Sequence, residues 1–355
     1  MMPFLQTHYG NPSSVHQIGR KARSALDDAR YEVAAMWQCK PSEVVFTSGG
    51  TESNNLAILG SARLKKPSGR HLVTSAIEHH AVLHTCEYLV KNEGFELSLV
   101  EPSSDGFIAP EAVASVLRDD TVLVSIMAAN NEIGSIQAVS EIGALCQDRG
   151  ILFHTDAVQA FGKLPFESIH QFKADLVSCC AHKFYGPKGA GALFIRSPLL
   201  PDPILFGGGH ENERRAGSEN LPSIVGFVEA FKRFVLEPVF EASSLTPLRD
   251  HLRQFISTLE GPLICTPSDS ALCNTLSIVV PDHDSISLLA ALDLEGFCAS
   301  GGSACSAGSI EPSHVVKALG FPDALASSQI RFSLGRSTSS VEIETLCSCL
   351  PRLLS

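Results

Sequence analysis

The stretch TVLVSIMAANNEIGSIQAVSEIGALCQDRGILFHTDAVQ (residues 121–159) reads as a strand, a helix and a second strand. TVLVSIMAA (121–129) and ILFHTDA (151–157) are β-branched apolar runs, while the apolar residues of Val139–Arg149 recur at the three- and four-residue spacing of a helix face. The same alternation continues in both directions. EVVFT (43–47), HLVTSAI (71–77), FELSLV (95–100) and ADLVSCC (174–180) read as buried strands, and GALFIR (191–196) adds another. Helical patterns cover Thr51–Leu64, Ala81–Lys91 and Pro110–Arg118. Strands alternating with helices imply crossover units and a mostly parallel sheet covered on both faces, an α/β fold.

Beyond Gly207-Gly208-Gly209 the pattern changes. Leu221–Leu259 is helical in two pieces broken near Glu237-Pro238, followed by TLSIVV (275–280), a helix over Ser285–Leu294, a Gly/Ser/Ala stretch (299–309), a helix near Ser313–Leu319, QIRFSL (329–334) and a last helix over Ser340–Leu354. This order predicts a large α/β domain over residues 11–240. A smaller α+β domain is expected from residues 1–10 and 241–355.

The 355 residues carry a net charge of -11, with 44% hydrophobic and 18% charged residues. That balance fits a globular protein and disfavours nucleic acid or an acidic membrane as the main partner. No basic, apolar leader opens the chain and no apolar run reaches membrane-spanning length. Eleven cysteines without a C-x-x-C pair give no zinc spacing and no disulfide framework, which predicts a reduced, cytoplasmic protein with no metal.

In open parallel sheets ligands gather beyond the carboxyl ends of the strands. The first strand runs into Thr47-Ser48-Gly49-Gly50-Thr51-Glu52-Ser53, a Gly-rich turn opening a helix. It is either a glycine-permitted corner or a phosphate cradle. The next leads to Glu78-His79-His80, where a histidine could simply cap a helix. Another ends at Asp156 with Gln159 close behind, and a further one leads to His182-Lys183. Asp156 could also be only a cap, but a lysine at a buried strand end is costly unless paired or used covalently. Together, a phosphate turn, an imidazole, a carboxylate and a lysine are the parts that hold pyridoxal phosphate.

Among the cysteines, Cys305 stands apart. It lies in SGGSACSAG (300–308), a run too small and flexible to pack a core, whereas the other ten read as small buried hydrophobes. An accessible thiol there suits a sulfur carrier.

Motifs through almost the whole chain resemble the group I cysteine desulfurases: TSGGTESNNLAI (47–58), EHHAVLHTC (78–86), ANNEIGSIQ (129–137), HTDAVQAFGK (154–163), AHKFYGPKGAGALF (181–194), GGGHENERRAGSEN (207–220), GGSACSAGSIEPSHVVKALG (301–320) and IRFSLGR (330–336). The resemblance implies a fold-type I pyridoxal-phosphate transferase with a seven-stranded sheet. It makes Lys183 the Schiff-base lysine, His79 the ring-stacking and proton-moving residue, Asp156 the partner of the pyridine nitrogen and Gln159 that of the ring hydroxyl. Gly50, Thr51, His182 and Cys180 fall at the phosphate, Asn131 and Arg331 at the substrate carboxylate. Arg215-Ala216-Gly217-Ser218 would reach the phosphate of a second subunit, implying a homodimer with shared sites. L-Cysteine would be the substrate, Cys305 the persulfide carrier and an acceptor protein the destination of the sulfur.

Three departures qualify the match. Cys180 stands where the family has a serine, a weaker phosphate donor, and Ser218 replaces a threonine. Only nine residues precede Gly10, where the family has an opening strand and an Asn-Ala-Thr-Thr-like turn, a difference expected to bear on substrate binding. A selenocysteine lyase, an aminotransferase with an idle Cys305 and a non-catalytic dimeric scaffold are the readings left open.

Overall fold

The computed structural model describes residues 1–302 and 311–354. Seven strands form the main sheet: β1 (Val44–Thr47), β2 (His71–Ser75), β3 (Glu96–Val100), β4 (Thr121–Ser125), β5 (Leu152–Asp156), β6 (Leu176–Cys180) and β7 (Gly191–Ile195). Their order is β1-β7-β6-β5-β4-β2-β3. The sequence reading placed a strand at each of these positions. β2 through β6 are mutually parallel, and β7 runs antiparallel to both β6 and β1.

Burial explains this arrangement. β1, β2, β4, β6 and β7 are buried at every position, as expected for strands covered on both faces. The edge strand β3 is largely solvent-facing. Polar side chains inside the sheet are satisfied across strands. His154 bridges Ser125 and Ser178 at 2.8 and 3.0 Å, and burial pushes its imidazole down to about 3.

Because β7 opposes both neighbours, β1 and β6 point the same way, and the pairings Thr47–Gly191 and Cys180–Gly191 bring their carboxyl ends together. A Cβ on Gly191 would lie 2.7 Å from the Gly49 Cα, so glycine is what lets the turn after β1 close over this edge. The carboxyl ends of β1, β2, β4, β5 and β6 therefore share one rim.

The longest helix, Gln17–Trp37, lies upstream of the alternating segment and was not part of the sequence reading. It buries Ala22, Leu26, Ala29, Val33 and Trp37 against the large core, beside helix Leu221–Phe234. Each fully buried large apolar side chain contributes about 1.5–3 kcal/mol. Residues 1–10, grouped in the sequence reading with the small domain, begin with helix Met2–Gln6, whose Phe4 packs on this same large core.

A second sheet has the order β10 (Ile330–Ser333), β9 (Thr275–Val279), β8 (Leu263–Ile264), all antiparallel. Its core joins Leu276, Ile278 and Phe332 to Leu252, Ile256, Leu288, Leu292, Leu346 and Leu350 from helices Ala242–Ile256, Ser285–Leu294 and Ser340–Leu353. Side chains alternate along a strand. Ile330 and Phe332 enter this core, and Arg331 between them turns to the opposite face, towards the rim of the main sheet. Among the described residues no helix is long and apolar enough to cross a membrane.

Candidate active site

A cavity of about 170 Å³ opens at the shared rim. Gly50, Thr51, His79, Asn131, Asp156, Gln159, Cys180, His182, Lys183 and Arg331, ten of the residues singled out from sequence, all line it. Ser218 does not. It lines a separate cleft with Arg215, whose guanidinium is paired with Glu52 at 2.7 Å. Cys305 lies outside the described residues.

Each element delivers its side chain for a local reason. Gly50 begins a helix that continues through one wider turn (Leu56–Gly60) to Lys65, and its first residues face the cavity. His79 is the N-cap of helix His80–Glu93, its Nδ1 accepting from the Ala81 amide at 3.0 Å. The ring is a cap and it also faces the cavity. With Nδ1 accepting, the proton of the neutral ring sits on Nε2.

Asp156 ends β5 and is almost fully buried. Its Oδ1 accepts from the Val158 amide at 3.0 Å and its Oδ2 from Asn54 Nδ2 at 2.6 Å. β6 passes directly into the turn Ala181–Phe184, which carries His182 and Lys183. Burial, then the neighbouring Lys183, Lys188 and Lys163, lowers the His182 imidazole. Cys180 Sγ lies 2.8 Å from His182 Nδ1. Burial raises its thiol, opposed by the amides of Gly50 and His182. Arg331 Nη1 donates to the Asn131 carbonyl at 2.6 Å, tying β10 to the loop after β4. Ser300 pairs with Arg331 through both backbone bonds, anchoring the chain at this arginine just ahead of residues 303–310.

Burial also sorts the thiols. It pushes Cys39, Cys146 and Cys265 up to about 12 and raises Cys86, Cys179, Cys180, Cys273 and Cys347 as well. A protonated thiol is a poor nucleophile, so these eight of the ten described cysteines are unsuited to accepting sulfur; contrary to the expectation that all ten are buried, Cys298 is exposed and Cys39 and Cys349 are half-buried.

Two contributors were missed in sequence. Asn54 follows Thr51 by three residues and Gly50 by four, so one helix face carries all three. That spacing could have found it. Lys163 follows Gln159 by four in a helical turn and donates to Gln159 Oε1. It lines an adjoining cleft with Gln159, Lys183 and Arg331.

The donor set fits pyridoxal phosphate. Asn54 Oδ1 is buried on the cavity wall without a partner among the described residues, and the same lining offers a carboxylate, a lysine and a helix start. Among the described residues there is no group of three or more metal-ligating side chains.

Comparison with known proteins agrees. The aminotransferase class-V family model matches residues 1–346, and the chain belongs to that family. It is 42% identical to "Cysteine desulfurase IscS" of Dictyoglomus turgidum over 355 residues, covering all of this chain and 90% of that relative. It is 40% identical to the protein of the same name from Methanosarcina thermophila, covering 100% of this chain and 87% of the relative. A solved "NifS-like protein" superimposes with a TM-score of 0.91 at 35% identity, covering 99% of this chain and 93% of that one. "SspA in complex with cysteine" gives 0.82 at 34%, covering 95% and 94%.

Proposed function

We propose that this chain is a cysteine desulfurase that binds pyridoxal phosphate on Lys183, converts L-cysteine to L-alanine and carries the released sulfur as a persulfide on Cys305. The observation carrying this reading is the single cavity that gathers Lys183, Asp156, His79, His182 and Arg331 in a chain over 40% identical to curated cysteine desulfurases. When bound, the cofactor supplies an electron sink that loosens the α-proton and the Cβ–S bond of the substrate.

The protein's own residues do the rest. Asp156, its plane held by Asn54 and the Val158 amide, would hold the ring nitrogen, and the Gln159 amide would hold the ring hydroxyl oxygen. Gly50, Thr51, Cys180 and His182 receive the phosphate. His79 would hold the ring face and, with Lys183, move protons at the substrate. Arg331, with Asn131 beside it, clamps the substrate carboxylate. The Cys305 thiolate attacks the substrate sulfur. An S–S bond forms as the C–S bond breaks, the electron pair stays on carbon, and a proton completes alanine. The persulfide then passes to an acceptor protein, supplying iron–sulfur or other thio-cofactor assembly. Because Ser218 lies outside its own chain's cavity, the reading includes a homodimer in which Ser218 reaches the other subunit's phosphate. A reducing cytoplasm suits the free cysteines of the chain.

The test is reconstitution with pyridoxal phosphate. The chain is expected to turn yellow, and Lys183→Ala is expected to lose the visible band. A colourless wild-type protein under saturating cofactor would refute the reading.

A further inference from the structure

Lys163 is 8% exposed and forms no ion pair among the described residues. Burial, then the neighbouring Lys183 and Arg331, lowers its ammonium to about 7, with the Cys273 thiol opposing. Such a placement is costly, and lysine survives it only through specific contacts. Two are visible. Nζ donates to Gln159 Oε1, and it lies 5.4 Å from the centroid of the Phe240 ring.

The first contact has a chemical consequence for the cavity. In its protonated form, which prevails below about pH 7, Lys163 has three donors and no acceptor, so it can engage only the oxygen of a primary amide. Gln159 is thereby held with its oxygen towards Lys163, leaving its amide nitrogen as the group available to the cavity wall that it shares with Lys183 and Asp156. A free glutamine could present either end. A fixed one presents a donor and so selects an acceptor on the ligand.

We infer that Lys163 is a positioning residue for the cofactor pocket: by holding the Gln159 oxygen, it presents the Gln159 amide N–H to the ring hydroxyl oxygen of pyridoxal phosphate. The inference rests on the functional reading above and adds a residue to it. Lys163 is not among the residues lining that cavity, and its hydrogen bond towards it runs through Gln159.

A double-mutant cycle tests this, read as pyridoxal phosphate affinity and visible band position in titrations of the stripped protein, with circular dichroism to confirm folding. Lys163→Met removes the donor at similar length and is expected to weaken binding about tenfold, the scale of one hydrogen bond in the pocket, and to shift the band. In a Gln159→Ala background the same change is expected to have no further effect. Lys163→Arg keeps a donor and is expected to bind nearly as tightly as wild type, and it decides the matter should the Met variant not fold. Losses that multiply in the double variant, a Met variant as tight as wild type, or an Arg variant that loses binding as fully as Met would overturn the inference while leaving the functional reading intact. A wild-type chain that takes up no pyridoxal phosphate would defeat both.

Discussion

Asn54 Nδ2 donates to Asp156 Oδ2 at 2.6 Å, joining the helix that begins at the glycine turn to the end of the central strand β5. With the Val158 amide on the other oxygen, this bond fixes the plane of the carboxylate. Asn54→Leu keeps the volume and removes the donor. Pyridoxal phosphate should bind about tenfold more weakly, the cost of losing a hydrogen bond to a carboxylate, and the fold should survive. Equilibrium titration of the stripped protein measures it.

Arg331 is held by the Asn131 carbonyl and projects from β10 into the cavity. Lysine at this position keeps the charge but loses the planar fork that grips a carboxylate through two bonds. Arg331→Lys should raise KM for L-cysteine by roughly tenfold to a hundredfold, with a smaller change in kcat. Steady-state alanine formation separates the two.

Glu78 is completely buried, and burial raises its carboxyl to about 8 against the opposing hydrogen bonds from Ser75 Oγ and the Met127 amide. Nearby Asp156 raises it further. Between the ordinary carboxyl range near 4.5 and about 8, the folded chain holds a proton that the unfolded chain has released. Stability from this group therefore falls as pH rises through that window, by up to about 1.4 kcal/mol per pH unit. Glu78→Gln should flatten the slope and stabilise the protein at pH 8 relative to pH 5. Denaturant titrations of both proteins across this range report the difference.

Arg30 grips Glu211 through two hydrogen bonds of 2.7 and 2.5 Å, and the Phe46 amide adds a third donor to the same carboxylate. This buried pair ties the turn before Arg215 and Ser218 to β1. Arg30→Ala leaves the carboxylate buried with one donor and should cost about 3–5 kcal/mol. Thermal unfolding of the variant measures the loss.

Most of the main sheet was legible in the sequence because most of its strands are buried on both faces, so they appear as short runs rich in β-branched and apolar residues such as EVVFT (43–47). The break near Glu237-Pro238 likewise separates helices Leu221–Phe234 and Ala242–Ile256. The helix Gln17–Trp37 carries a readable signal in the three- and four-residue spacing of its buried residues, but it precedes the strand–helix alternation that marks the sheet. β8 has only two residues and no periodicity to detect. At the site, residues tied to strand ends or to recognisable turns were visible. Asn54 shares the helix face of Gly50 and Thr51, but what it and Lys163 do to Asp156 and Gln159 appears only once the chain is folded.

The central claim concerns Cys305, which the small-residue run around it and the resemblance to the desulfurases single out, and which lies outside the described residues. The most direct test is to incubate the pyridoxal phosphate-loaded chain with L-cysteine, without added reductant, and locate the extra sulfur by mass spectrometry of peptides. The account predicts a mass gain of one sulfur on the peptide bearing Cys305, one alanine formed per sulfur bound, and neither product with Cys305→Ala. Undiminished alanine formation by that variant, or the sulfur on a different cysteine, would contradict it.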